Sequence, residues 1–452
     1  MGIHGGNIYE HPGVVDFSAN CNCYGMPPLV REAAIRGVEQ AAHYPDPQWT
    51  ALREAIGVYE QVDPAQILCG NGASELLAAL MRALRPRRAF LIAPGFYEYE
   101  RALEQVGAQI THFQTQPEHG WQPGEAFLDL ICAEAEPYDV VMLSNPNNPT
   151  GALLAPEYVR RLVQITADHQ IRLVLDECFI EFMADPDGYS GKQYLQEYPQ
   201  LILVKAFTKT YACAGLRIGY VLGSDDALLC KCKNELPEWN VSLPAAYAGI
   251  AATMEQEWLR DTAARIRTER EWLRGQLEAL GCEVFPAAAN YLFFMWKQGL
   301  YEYCLSCGIL IRDCSNYRGL GAGAYRVCVR TREENERLLA VMAQYRDSLT
   351  WLSDGRAESG SEDRKKDEIY GKKYYDTGDD VRSRQESARS GAVQDLCTGR
   401  LPGRTVQITE YGTQFICHKR RARDGACAGR AGAGCRNRAI CAYEPDPAQT
   451  DE

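Results

Sequence analysis

The stretch KAFTKTYACAGLRIGY, residues 205–220, contains the residues with the clearest potential for chemistry. Lys209 and Arg217 stand among mostly small and apolar residues, just past the strand-like run LILV. An arginine offers a rigid fork of donors that suits a phosphate group. Lys209 taken alone is more often a solvated lysine, so its meaning depends on the segments that accompany it.

Three further segments place polar residues after apolar strands. SNPNNPTG (144–151) alone indicates a tight turn, and Asp176 in LVLDE alone indicates a helix cap or a loop acid. GNGASE (70–75) lies between a strand and a helix, where backbone N–H groups can hold a phosphate. Along the chain the segments occur in this order: a Gly/Ser loop, an Asn-Pro-Thr-Gly turn, an aspartate, a lysine, and then Gly-Leu-Arg-x-Gly.

The elements that must position these residues follow an alternating pattern. Apolar strands alternate with amphipathic helices over residues 46–250, which predicts an α/β domain with a mostly parallel sheet. Residues 251–352 predict a smaller α+β domain, and residues 1–45 predict an N-terminal arm and part of that small domain. Residues 353–452 begin with a charged linker and continue without strand or helix periodicity, so we predict a disordered tail.

The order of the motifs resembles that of the fold type I pyridoxal-phosphate enzymes, the aspartate aminotransferase superfamily, over about residues 1–350. The resemblance implies that Lys209 carries pyridoxal 5'-phosphate as an internal Schiff base. It also implies a set of ligands for the cofactor phosphate: Arg217, the hydroxyl of Thr208, and the backbone amides of Ala73 and Ser74.

The same resemblance assigns the residues around the cofactor ring. Asp176 matches the carboxylate that keeps the pyridine nitrogen protonated, which makes the ring an electron sink. Asn148 matches the donor to the ring hydroxylate, Phe96 matches the stacking aromatic, and Phe179 stands where aminotransferases often carry tyrosine. Tyr44 matches a tyrosine that reaches the phosphate from a neighbouring subunit, which implies a homodimer with shared active sites.

Four stretches narrow the resemblance to one group. HGGNIYE (4–10), DFSANCN (16–22), NGASELL (71–77) and LIRDCSNYRGL (310–320) look like the threonine-phosphate decarboxylases of cobalamin biosynthesis. The resemblance implies that L-threonine O-3-phosphate loses CO2 to give (R)-1-aminopropan-2-yl phosphate. The alternative is an aminotransferase of the histidinol-phosphate type.

The resemblance also implies a set of substrate-binding residues. Arg326, in YRVCVRTREEN, matches the arginine that binds the substrate carboxylate, and a structural salt bridge is its alternative interpretation. His4, Asn20 and Arg312 match positions near the substrate. Lys209 is the candidate for returning a proton to the carbon that loses CO2.

Composition excludes other classes. The chain has 452 residues with a net charge of -12, which argues against a nucleic-acid surface. No apolar run of 18 residues exists and the first residues lack a secretory pattern, so we expect a cytoplasmic protein without a membrane span. Many of the 18 cysteines lie in apolar runs, as Cys178 and Cys328 do, and indicate buried reduced thiols.

The tail contains thiols that raise the question of a metal site. Their spacing includes no Cys-x-x-Cys pair, which regular zinc sites usually need, so we predict no metal. A non-catalytic, metal-binding regulatory protein stays open as an alternative from another class. The residues concerned are Cys397, Cys417, His418, Cys427, Cys435 and Cys441.

The tail also has an interpretation at the level of the gene. Back-translated with suitable codons and read one base later, GKKYYDTGDDVRSRQES can spell AKNIMIQGTMSDRGKSL, and RTVQITEYGTQFICHKRRARDG can spell APFKSQNMALNSFVTKDGL. Both resemble the start of cobyric acid synthase, another cobalamin-pathway enzyme. We therefore predict that the tail from about Asp367 is an out-of-frame reading of an adjacent gene. Sequencing of the locus tests this, because the prediction requires a cobyric acid synthase frame beneath the tail.

Overall fold

The structure is a computed structural model that describes residues 5–133 and 136–353, together with two short strands at 407–411 and 414–418. The chain divides into two compact units, residues 1–356 and 357–452. No helix within the described ranges is long and apolar enough to cross a bilayer.

The helices of the first unit follow the amphipathic segments of the sequence. Two of these helices, Leu243–Met254 and Gln256–Ala279, meet at Glu255. The α-helices are α1 Pro28–Glu39, α2 Thr50–Glu60, α3 Ala73–Leu84, α4 Tyr97–Glu104, α5 Gly124–Ala133, α6 Pro156–Asp168, α7 Pro186–Tyr189, α8 Phe207–Thr210, α9 Asp226–Asn234, α10 Leu243–Met254, α11 Gln256–Ala279, α12 Leu300–Ser306 and α13 Arg332–Ser353.

The strands of the first unit form a large sheet, a small sheet and one isolated pair. They are β1 Val15–Asp16, β2 Ile67–Gly70, β3 Arg88–Ala93, β4 Gln109–Gln114, β5 Val140–Ser144, β6 Arg172–Asp176, β7 Leu201–Ala206, β8 Gly219–Gly223, β9 Glu283–Val284, β10 Tyr291–Met295, β11 Ile309–Leu310, β12 Arg312–Asp313 and β13 Ala324–Cys328.

The large sheet has the strand order β2-β8-β7-β6-β5-β3-β4. Its strands are parallel except β8, which runs antiparallel to both β2 and β7. The prediction of a mostly parallel α/β sheet is therefore confirmed. Buried aliphatic runs such as β5 and β6 are covered by helices, as parallel sheets require. The carboxyl ends of the parallel strands share one edge, which is where ligands bind in such sheets.

The small sheet is antiparallel, with the order β12-β13-β10-β9. Its residues pack with α11, α12 and α13 in a second hydrophobic cluster that includes Phe17, Phe294 and Leu338. The pair β1–β11 is parallel and attaches the N-terminal segment to this part of the chain. The predicted boundary at residue 250 stays a prediction.

The second unit contains one described pair of strands. Strands β14 Gln407–Tyr411 and β15 Gln414–His418 pair in antiparallel fashion, with Gln407 opposite His418. The prediction of a tail without strands is wrong for these two segments, because their isoleucine and aromatic residues favour extended backbone. Four of the tail cysteines considered as metal ligands lie outside the described residues: Cys397, Cys427, Cys435 and Cys441.

Candidate active site

A cavity of about 210 Å³ opens at the carboxyl edge of the large sheet and extends to the small sheet. It brings together most of the residues that the sequence singled out, although they come from segments far apart in the chain. These lining residues are Asn20, Ala73, Ser74, Phe96, Asn148, Asp176, Phe179, Thr208, Lys209, Arg217, Arg312 and Arg326.

Two predicted site residues are not among those that line the cavity. His4 lies outside the described residues. Tyr44 is 78% exposed and its ring packs in a tilted arrangement against that of Trp239, with ring centroids 4.6 Å apart. The predicted role of Tyr44 on a neighbouring subunit stays a prediction.

One end of the cavity is built to hold an anion. Helix α3 begins at Ala73, and its N-cap Gly72 offers no side-chain cap, so the first N–H groups are open to a ligand. An added Cβ on Gly72 would lie 2.5 Å from Nη2 of Arg217, so this guanidinium lies against the helix N-terminus. Gly72 has a φ of 80°, which favours glycine at this turn. The arrangement suits a phosphate group.

The close packing around Gly219 explains why the motif that follows Lys209 ends in a glycine. An added Cβ would lie 2.8 Å from the nitrogen of Ala73 and 3.1 Å from the oxygen of Lys205, both backbone atoms. We expect Gly219→Ala to displace the anion-binding loop, to lower stability by about 1–3 kcal/mol and to weaken pyridoxal-phosphate binding. Thermal unfolding of the cofactor-free protein and a cofactor titration measure the two effects.

The same motif supplies a matched control for this prediction. Like Gly219, Gly215 has a backbone conformation that alanine can adopt. Unlike at Gly219, a Cβ added at Gly215 would meet no atom within 4 Å. Gly215→Ala is therefore expected to keep both the unfolding temperature and the cofactor affinity. Equal behaviour of the two variants would contradict the role of Gly219.

Asp176 ends strand β6 at the floor of the cavity. Its Oδ2 accepts a hydrogen bond from Tyr99 Oη at 2.7 Å, and its Oδ1 accepts one from the backbone N–H of Cys178 at 3.0 Å. Burial raises the pKa of Asp176, and the hydrogen bonds from Cys178 and Tyr99 oppose that rise. A cationic ring nitrogen beside this carboxylate would compensate its buried charge.

Lys209 follows β7 directly, on the single turn of α8. Its side chain makes no hydrogen bond or ion pair with any of the residues that the structure describes. Its carbonyl accepts from the backbone N–H of Asn22 at 2.8 Å, and Asn22 Nδ2 donates to the carbonyl of Thr210 at 3.0 Å. The backbone of the lysine is thus held while its amine is available in the cavity.

Arg326, on β13, lies at the opposite end of the cavity. Its Nη1 donates to Asn148 Oδ1, and its Nη2 donates to the carbonyl of Ser18 at 2.9 Å. It pairs with no carboxylate in the described part of the chain, so the alternative of a structural salt bridge is not observed there. The amide of Asn20, with its oxygen towards Arg326, would lie 3.3 Å from the guanidinium. A buried cation held only by neutral groups is ready for an anionic ligand.

Arg312 occupies β12, which pairs with β13 opposite Arg326. Its guanidinium donates to the carbonyl of Asp313 at 2.7 Å and to Asn316 Oδ1 at 2.9 Å. It also lies 5.2 Å from the ring centroid of Tyr317. The two arginines give the substrate end of the cavity a strong positive charge.

Two residues near the site were missed by sequence reasoning. Tyr99 lies three positions after Phe96, in the first turn of α4, and that helical spacing was the available signal. Ser18 is inside the quoted stretch DFSANCN but was given no role. Its contacts with Gly6 and Arg326 are visible only in the folded chain.

Comparisons with known proteins agree with this geometry. The aminotransferase class I and II family model matches residues 12–342. Threonine-phosphate decarboxylase of Salmonella typhimurium is 37% identical over 366 residues, which cover 77% of this chain and 97% of that protein. The adenosylcobalamin biosynthesis bifunctional protein of Leptospira interrogans is 28% identical over 353 residues, covering 74% of this chain and 40% of that protein.

A solved structure gives the same fold. The histidinol-phosphate aminotransferase of Clostridium acetobutylicum has a TM-score of 0.69 and 25% identity, covering 74% of this chain and 99% of that one. The similarity to the Salmonella decarboxylase is higher in identity, 37% against 25%, and both relatives are covered over nearly their whole length. The chain therefore belongs to the aminotransferase class I and II family and, within it, to the threonine-phosphate decarboxylases.

Proposed function

We infer that this chain catalyses the decarboxylation of L-threonine O-3-phosphate to (R)-1-aminopropan-2-yl phosphate and CO2, with pyridoxal phosphate, in cobalamin biosynthesis. The observation that supports this function is a single cavity with four features. It contains the anion-binding loop at Ala73, the amine of Lys209, the buried carboxylate of Asp176 and the guanidinium of Arg326, which pairs with no carboxylate among the described residues. The likeness to the threonine-phosphate decarboxylases supports the choice of substrate.

The residues present fit the cofactor. The N–H groups of Ala73 and Ser74, with Arg217 and Thr208, would hold its phosphate. Phe96 would cover its ring, and Nδ2 of Asn148, which has no hydrogen-bond partner within the described ranges, would donate to the ring oxygen. When bound, the cofactor supplies an electron-poor ring that accepts the electron pair released by the breaking bond. Asp176 would hold on the ring nitrogen the proton that this chemistry needs.

Arg326 orients the substrate for loss of CO2. Its guanidinium is fixed by Asn148 and by the carbonyl of Ser18, so a carboxylate bound to it would have a defined direction. By fixing the direction of the carboxylate, Arg326 would determine which bond of the α-carbon is placed to break, so this direction would select the reaction. Arg312 and Asn20 lie on the same side and would contact the substrate phosphate end.

Lys209 completes the cycle as the proton donor. Its Nζ would return a proton to the carbon that has lost CO2, since it is the amine that lines this cavity. A decarboxylase keeps the hydrogen of the α-carbon, whereas an aminotransferase removes it. This difference distinguishes the two reactions.

The decisive assay offers the purified protein L-threonine O-3-phosphate and pyridoxal phosphate without 2-oxoglutarate. We expect CO2 and aminopropyl phosphate in equal amounts. No CO2 in this assay, together with glutamate formation from histidinol phosphate and 2-oxoglutarate, would favour the aminotransferase alternative instead.

We also propose a cytoplasmic homodimer in which Tyr44 serves the neighbouring active site. The exposed pair of Tyr44 and Trp239 supports this, because tyrosine and tryptophan are enriched at protein interfaces. Sedimentation of the purified chain measures its mass, and a monomer would contradict the shared site. The free cysteines of the described ranges suit the reducing cytoplasm, and cell fractionation tests that location.

A further inference from the structure

A buried serine joins the N-terminal arm to the substrate end of the cavity. Gly5, Ser18, Ala19 and Asn20 line this end together with Arg326. Ser18 is only 2% exposed, so its hydrogen-bonding atoms depend on partners within the protein. Those partners come from the arm, from the adjacent strand and from the small sheet.

The hydroxyl of Ser18 uses both of its hydrogen-bonding functions. It donates to Asp16 Oδ1 at 2.6 Å and accepts from the backbone N–H of Gly6 at 2.7 Å. The same oxygen of Asp16 also accepts from the N–H of Ser18 at 2.8 Å. Asp16 belongs to β1, which pairs with β11, so the hydroxyl fastens the arm to an anchored strand.

The carbonyl of Ser18 faces the substrate arginine. It accepts from Arg326 Nη2 at 2.9 Å. The backbone of the arm packs directly on this carbonyl, because an added Cβ on Gly5 would lie 2.3 Å from the oxygen. One residue therefore contacts both the arm and the guanidinium that is proposed to bind the substrate carboxylate.

We propose that Ser18 is a positioning residue for substrate binding. Its hydroxyl holds the backbone of Gly5 and Gly6 over the substrate end of the cavity, while its carbonyl orients Arg326. Neither group bonds to Lys209 among the described residues, so we expect the contact to act chiefly on the substrate through Arg326. The inference rests on the proposed function for the identity of the substrate.

Ser18→Ala and Gly5→Ala break the contact in two independent ways in the full-length, cofactor-loaded protein. Each is expected to raise the KM for L-threonine O-3-phosphate by roughly tenfold, with kcat changed by less than about threefold. Cofactor affinity and visible absorbance stay as in the wild type. Because both changes remove the same contact, the KM of the double variant is expected to be no higher than that of the more impaired single variant.

Ser306→Ala is the matched control, since Ser306 is an exposed serine whose hydroxyl donates to the carbonyl of Tyr303 one turn earlier and lies 3.9 Å from Sγ of the adjacent Cys307, away from the cavity. It should leave the KM unchanged. A KM within twofold of the wild type in both Ser18→Ala and Gly5→Ala would overturn the inference, and so would effects that simply multiply in the double variant.

Hydrogen exchange at the Gly6 amide gives a readout that needs no turnover. The amide should be protected in the wild type and should exchange faster in Ser18→Ala. If the wild type releases no CO2 but the Gly6 amide is protected in the wild type and loses that protection in Ser18→Ala, the proposed function fails while the arm contact stands. An amide that exchanges equally fast in both proteins overturns the inference itself.

Discussion

Lys209→Ala is expected to lower the rate of decarboxylation by about 10⁴-fold or more, because the variant lacks the amine that holds the cofactor and returns the proton. The structural basis for this expectation is the side chain of Lys209, which lines the cavity and has no hydrogen-bond or ion-pair partner among the described residues. Initial rates measure the loss. Peptide mass spectrometry after borohydride reduction should find the cofactor on the wild-type peptide that contains Lys209.

Lys231→Ala is the control for this prediction. Lys231 lies on α9, and its side chain is exposed and does not line the cavity. Its variant should keep the wild-type rate and the labelled peptide. A Lys209→Ala protein with more than a tenth of the wild-type rate, or a label on another lysine, would refute the assignment.

Asp176→Asn is expected to lower the rate by about 10²-fold or more, because the amide cannot hold a proton on the cofactor ring nitrogen by charge. The substitution keeps the size of the side chain, so the partners Tyr99 and Cys178 need not move. Initial rates and the absorbance of the bound cofactor against pH measure the effect. The control is Asp187→Asn, since Asp187 has a side chain that is largely exposed and paired with Lys192.

The stability of the Asp176→Asn protein distinguishes chemistry from structure. Burial raises the folded-state pKa of Asp176 above its ordinary value of 3.8. The stability that this group contributes is therefore present below about pH 3.8 and is lost as the pH rises through the folded-state pKa. The cofactor-free variant should then unfold at pH 7 at a temperature no lower than the wild type. A large drop in that temperature would indicate a structural role for the carboxylate.

The order of motifs predicted the elements of the site because each motif is local. Asp176 had to end a strand, and Lys209 had to follow one, since a buried apolar run precedes each of them. The glycine loop before α3 was equally readable, because a glycine N-cap and a helix start are neighbours in sequence. Local patterns of this kind also specified the alternation of strands and helices that makes the large sheet.

Contacts between distant segments were not readable in the same way. Arg326 and Ser18 are 308 positions apart, and Tyr99 and Asp176 are 77 apart, so no periodicity links either pair. Whether Arg326 met a carboxylate or neutral groups depended on the register of β13 against β10 and β12. The location of Tyr44 outside the cavity of its own chain likewise required coordinates.

The amino-acid sequence by itself determined the family and the cofactor, and it predicted the roles of the lysine, the aspartate and the arginines, because these depend on residue type and on short spacings. The tertiary structure alone decided that Gly219 supports the anion loop, that Tyr99 bonds to Asp176, and that Ser18 joins the arm to Arg326. These are backbone and side-chain approaches of a few ångströms between separate elements. They arise only when packing of the sheet and its helices brings those elements together.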